Sequence, residues 1–160
     1  MAAVGLFLIT LFLASFFSGL LPDAVAPPDF WFLYVAALTP RLRPTWALVV
    51  AFGVGLFADL AGGGYLGLLA VGLLMAAYAI LGLSTWLHPE EPLGRATILA
   101  GAYLAKWLGI FLVLYVLGLF LVGPLDFLGT ILSEALFTAL FAPPYLFLAG
   151  LLLGDADHAG

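Results

Sequence analysis

The chain is predicted to be an all-α integral membrane protein with six transmembrane helices, and three observations carry the prediction. Hydrophobic residues fill 66% of the 160 positions and charged residues only 8%, where soluble domains run near ~45–50% and about 25%. No soluble fold of this size has interior enough to hide that much apolar surface. The apolar runs are also continuous, as in 4–21 and 108–122, whereas strands of a membrane barrel alternate. Continuous runs satisfy their own backbone hydrogen bonds in lipid only as helices. Finally, clusters of proline and glycine interrupt the runs at intervals suited to crossings.

The first helix is expected over 3–21, long enough to span at ~1.5 Å per residue. Ala24-Val25-Ala26 has the look of a cleavage site after an apolar run. The segment ahead of that run carries no Lys or Arg, however, and the run is longer than a signal peptide's, so a retained helix is expected. Pro22, Pro27 and Pro28 stiffen the turn that follows. The second helix, 29–40, is short for a crossing, about half the hydrocarbon thickness, and could tilt, extend or re-enter. Arg41, Arg43 and Pro44 form the next turn, with Trp46 beside it as an interfacial anchor. A third helix is expected over 45–60 and a fourth, of spanning length, over 65–87. The fifth is expected over 95–122 and the sixth over 125–153, kinked at Pro143-Pro144. No linker, second domain or internal repeat is visible, so 1–160 reads as one membrane domain.

The basic residues set an orientation. Arg41, Arg43 and Arg95 all fall in loops on one side, and the opposite loops hold neither Lys nor Arg. The positive-inside rule then places both termini in the cytoplasm. The formal charge of −5 comes from acids scattered through loops and tail, and no basic run exists to bind nucleic acid. Cysteine is absent, which excludes disulfides and thiolate chemistry.

Few residues could carry chemistry. Lys106 lies about eleven residues into the fifth helix, ~16 Å deep, where a charge costs at least ~2.5–3.5 kcal/mol unless paired or hydrated. Glu134, about nine residues into the sixth helix, is its nearest candidate partner. A structural ion pair, a substrate or proton site, and a contact to a partner's acid all remain open for Lys106. Asp59 either caps the Gly62-Gly63-Gly64 turn or contacts a partner or ligand. Asp29 has the same two readings, as an N-cap of the second helix or a contact. Gly72 and Ala76 in the fourth helix, and Gly101, Ala105 and Gly109 in the fifth, form stripes of small residues suited to close helix packing. His88 and His158 have no second ligand at metal spacing, no serine has a nearby base, and the glycine triplet lacks the residues of a phosphate loop. Neither an enzyme nor a cofactor is expected.

The stretch 27–65 carries a resemblance. Pro28-Asp29 opens a short apolar helix, a small basic turn follows, and then comes Gly53-x-Gly55-Leu56-x-x-Asp59, with Gly67 opening the next helix, Tyr78 within it and Pro143-Pro144-Tyr145 in the last. This pattern resembles the rod shape-determining MreD family of small bacterial membrane proteins. The resemblance covers the whole chain in length and helix count; its motifs are short and apolar, and Lys106 maps to no family position. It implies a six-helix fold like the substrate-binding (S) subunits of energy-coupling-factor (ECF) transporters, residence in the inner membrane, and a non-enzymatic role in cell elongation. Its implied direct partner is MreC, with MreB, RodA and a class B penicillin-binding protein further out in the assembly. Two other functions stay open on the residues alone: a vitamin-type transporter subunit and an isoprenoid-lipid-binding membrane protein.

Overall fold

The computed structural model describes residues 1–119 and 123–154, and these form six α-helices and one 3-10 turn. In chain order they are α1 (Ala2–Leu20), α2 (Phe30–Leu38) with its 3-10 extension Thr39–Arg41, α3 (Pro44–Gly62), α4 (Leu68–Leu83), α5 (Pro92–Leu117) and α6 (Pro124–Leu153). α1, α3, α5 and α6 are long and apolar enough to cross a membrane. The protein is an α-helical, multi-pass membrane protein. Its two ends are easily told apart. The Met1 end collects Arg41, Arg43, the 84–91 turn and the end of α6, while the glycine-loop end collects 21–29, 62–67, the end of α5 and the start of α6.

The second helix sits at the centre. Every residue of α2 except Trp31 is buried, with α1, α3, α4 and α6 around it. A nine-residue helix that is apolar all round has no face to offer water, and enclosure by other helices is how such a segment is stabilised. It is short because Pro22, Pro27 and Pro28 keep the chain ahead of it non-helical, and because Pro40 and Pro44 end it. Its extension ends on Arg41, whose guanidinium donates to the carbonyls of Ala37 and Gly154 and ties α2 to the end of α6.

The fourth helix differs from expectation. It has 16 residues, ~24 Å at 1.5 Å rise, where 65–87 predicts a full crossing. Gly67, at φ +95°, delays its start. The Ser84 and Thr85 hydroxyls donate to the carbonyls of Ile80 and Gly82 and turn its last residues out of the helix. α5 starts at Pro92, earlier than expected, and ends at Gly118 in the left-handed conformation, φ +66°. The predicted continuation to 122 and His158 in the tail lie outside the described residues. α6 runs on through Pro143 and Pro144 to Leu153.

α3, α4 and α5 pack most closely, and the small-residue stripes lie in that packing. A Cβ at Gly72 would meet the Ile110 side chain at 2.9 Å, and one at Gly109 would meet Met75 at 2.9 Å. At Gly55 it would run into the backbone of Ala70, with the Leu69 carbonyl carbon 2.9 Å away. Gly53, two residues earlier, has nothing within 4 Å. Gly55→Ala should therefore cost about 1–3 kcal/mol through forced separation of α3 from α4. Gly53→Ala should be neutral or stabilising by up to about 1 kcal/mol. Thermal unfolding of the two variants in detergent gives the comparison directly.

Candidate functional site

Two polar arrangements with charged side chains interrupt this apolar bundle among the described residues, and each includes a carboxylate at a helix N-terminus. The first lies between α3 and α4. Asp59, buried near the end of α3, points its carboxylate at the start of α4 and accepts from the backbone N–H groups of Gly67 (2.9 Å), Leu69 (3.0 Å) and Ala70 (3.2 Å). Those donors are among the orphan groups of the α4 N-terminus, where a negative charge is also favoured by the helix dipole. On the sequence alone Asp59 reads either as a cap of the Gly62–Gly64 turn or as a contact to a partner or ligand. The structure reaches past that turn to the next helix, because close contact of Gly55 with Ala70 brings the α4 start alongside Asp59. Gly67 contributes an amide in a conformation that side chains resist.

The second arrangement lies deeper. Asp29 is the N-cap of α2: one carboxylate oxygen accepts from the Phe32 N–H at 2.9 Å, and its own N–H donates to the Thr138 hydroxyl at 2.9 Å. The other oxygen faces the Lys106 ammonium at 2.5 Å, and Lys106 reaches Glu134 at the same distance. The Tyr103 hydroxyl also donates to Glu134, at 2.9 Å. The Tyr103 and Trp107 rings flank the ammonium, their centroids 4.8 Å and 4.7 Å from it, within cation–π range. Lys106 is 1% exposed.

Depth along the helices explains how three elements meet here. Lys106 stands eleven residues before Leu117, and Glu134 ten residues after Pro124, so both lie ~15–17 Å from the glycine-loop end. Asp29 stands roughly 20 Å from the Arg41 end, since α2 and its 3-10 extension rise only that far. All three therefore fall in the interior of a ~30 Å core. Counting along the sequence brings Lys106 and Glu134 together and misses Asp29. A full-length second helix would have put Asp29 at the membrane surface.

Two hollows adjoin the cluster. A cavity of about 210 Å³ lies on its glycine-loop side, bounded by Ser18, Pro28, Leu69, Trp107 and the three charged residues. On the other side a groove of about 830 Å³ runs between α5 and α6 toward the Met1 end. α2 forms its floor through Phe32 and Leu33, Ala100 and Leu104 form one wall, and Ala139 and Ala142 the other. α5 and α6 scarcely touch at the backbone level. What joins them is Glu134, with its bonds to Lys106 and Tyr103, together with the Tyr103 hydroxyl to the Ile131 carbonyl and the Trp107–Phe127 ring contact.

The remaining predicted residues separate by position. Pro28 is buried beside the cavity, Pro143 lines the groove, and Gly53 is exposed. Arg95 lies at the groove rim with Glu90, its guanidinium donating to the Pro89 carbonyl at 3.3 Å. Arg43 is exposed ahead of α3. Among the described residues no group of His, Cys, Asp and Glu is arranged to hold a metal ion.

No family model, curated protein or solved structure matches the chain. Its function has to be argued from the site itself.

Proposed function

We propose that the chain is a non-catalytic membrane scaffold of the MreD type, and that it holds the transmembrane helix of an MreC-like partner in the α5–α6 groove. The groove is the observation that carries this reading. The walls span about a dozen residues of each helix, ~18 Å at 1.5 Å rise. A helix of that length and ~10 Å diameter occupies roughly 1,400 Å³, so one sunk to half its depth displaces roughly 700 Å³. That compares with about 830 Å³ available. Small residues on the α6 wall suit close approach of a second helix, the usual basis of helix association in lipid.

Further support comes from the order Pro28-Asp29, Gly55, Asp59, Gly67, in which each residue except Pro28 has a defined role at a helix start or a helix contact. In this reading α2 and the extended chain before it together make one of six crossings, and the fold is of the S-subunit type. Arg41, Arg43 and Arg95 face the cytoplasm across a bacterial inner membrane, which puts the glycine-loop end outside. Through its hold on MreC the scaffold regulates peptidoglycan synthesis, and through it cell shape, with MreB, RodA and the penicillin-binding protein as indirect partners.

Filling the groove tests this. Ala142→Trp should lower capture of the MreC-like partner in nanodiscs at least tenfold, about 1.4 kcal/mol, while leaving thermal stability unchanged. Tyr78→Trp, on the exposed face of α4, should leave capture intact. A wild-type protein that captures no such partner, or a groove variant that captures it normally, would overturn the reading.

The cavity of about 210 Å³ beside Lys106, Asp29 and Glu134 favours a second reading, a small-molecule-binding transporter subunit. Native mass spectrometry of the purified protein distinguishes the two, since a retained vitamin-sized ligand supports the second. A retained isoprenoid lipid would instead support a lipid-handling role.

A further inference from the structure

We propose that the Asp29–Lys106–Glu134 cluster is a proton-binding site in which Glu134 holds a proton at neutral pH and exchanges it with the aqueous phase at the glycine-loop end. The inference goes beyond the scaffold reading and does not depend on it.

Charge counting is the starting point. Two carboxylates face one ammonium, all in the membrane interior. Fully ionised, the cluster carries a net negative charge where an uncompensated charge costs several kcal/mol. The elements packed around it bring no second cation. α1 offers Ala14 and Ser18, α4 offers Leu69, and α2 offers Trp31 and its N-cap Asp29. α5 adds the Tyr103 hydroxyl and α6 the Thr138 hydroxyl. One additional proton makes the cluster neutral, as an ammonium, one carboxylate and one carboxylic acid.

Hydrogen bonding decides which carboxylate takes it. Both Asp29 oxygens accept, one from the Phe32 N–H and one from Lys106, and Asp29 also sits at the N-terminus of α2, where negative charge is favoured. Glu134 accepts from Lys106 and Tyr103 through the same oxygen, Oε1. Its other oxygen has no protein partner among the described residues, so a proton there displaces no bond. The Glu134 side chain is also the most accessible of the three, 16% exposed against 7% for Asp29 and 1% for Lys106. It lines the cavity of about 210 Å³ on the glycine-loop side, together with Ser18 and Pro28. A hydronium entering there transfers its proton to Glu134 Oε2 and leaves as water, and the reverse step restores the carboxylate.

Infrared difference spectroscopy of the full chain in nanodiscs reads this out. At neutral pH the wild type should show the carbonyl stretch of a protonated carboxyl, shifted promptly on transfer to heavy water. Glu134→Gln, a neutral isostere, should lose that band and keep the wild-type Tm. Asp29→Asn should lose the band too, because an ionised Glu134 then balances Lys106. Carbon-13 labelling of glutamate carboxyls should move the wild-type band, and labelling of aspartate carboxyls should leave it in place. Absence of the band in the wild type, its survival in Glu134→Gln, or a shift in heavy water as slow as that of the buried helical amides would each overturn the proposal. Should Asp29→Asn fail to fold, the glutamate label in the wild type decides, since the band either moves with it or does not. A band that moves with the aspartate label instead would overturn the assignment to Glu134.

Discussion

Lys106→Met is expected to be the most damaging single substitution in the chain, costing about 3–5 kcal/mol of stability. Methionine fills most of the lysine's volume, so packing loss contributes little. The damage comes from Asp29 and Glu134, left facing each other in the membrane interior without the ammonium that both contact. Breaking a buried ion pair by removing one partner is costly for this reason, while replacing the whole set with neutral groups often is not. Lys106→Met combined with Asp29→Asn and Glu134→Gln should therefore recover most of the loss, and asparagine still caps α2. Unfolding in mixed micelles across the single and combined variants gives the coupling. Strictly additive losses would rule out an interacting cluster.

Asp59→Ala should be the next most costly change, at about 2–4 kcal/mol, because one truncation strands three backbone N–H groups at the α4 start. Asp59→Asn, with one accepting oxygen instead of two, should recover part of this. Hydrogen exchange at Gly67, Leu69 and Ala70 localises the effect. Those amides should exchange at least tenfold faster in Asp59→Ala while α5 amides keep their protection, and unchanged exchange there would contradict the capping role.

The sequence made legible whatever depends on one segment at a time. Continuous apolar runs and their proline breaks located all six helices, and counting from helix ends put Lys106 level with Glu134. What escaped depends on how segments enclose one another. Asp29 joined the cluster because α2 is buried on nearly all sides and stops in the interior, a property of its neighbours as much as of its own residues. Its lack of any polar face was the available sign. Asp59 was legible as a cap, but its partners lie across a turn, set by how closely Gly55 lets α4 approach. The α5–α6 groove left no mark in either helix alone, since it arises from the two helices standing apart at the backbone level.

The central position of α2 also bears on how the chain is made. Nine apolar residues headed by Asp29 are a poor independent membrane insert, and α6, which completes their surroundings, is synthesised after the other described helices. The Asp29 N–H waits for a hydroxyl 109 positions further along, and Lys106 must be translated before its second acid. During biosynthesis the early helices therefore have to be held, by the insertion machinery or by each other, until α6 arrives. A chain cut before Glu134 lacks the second acid on Lys106, although it contains the whole of α1 to α5.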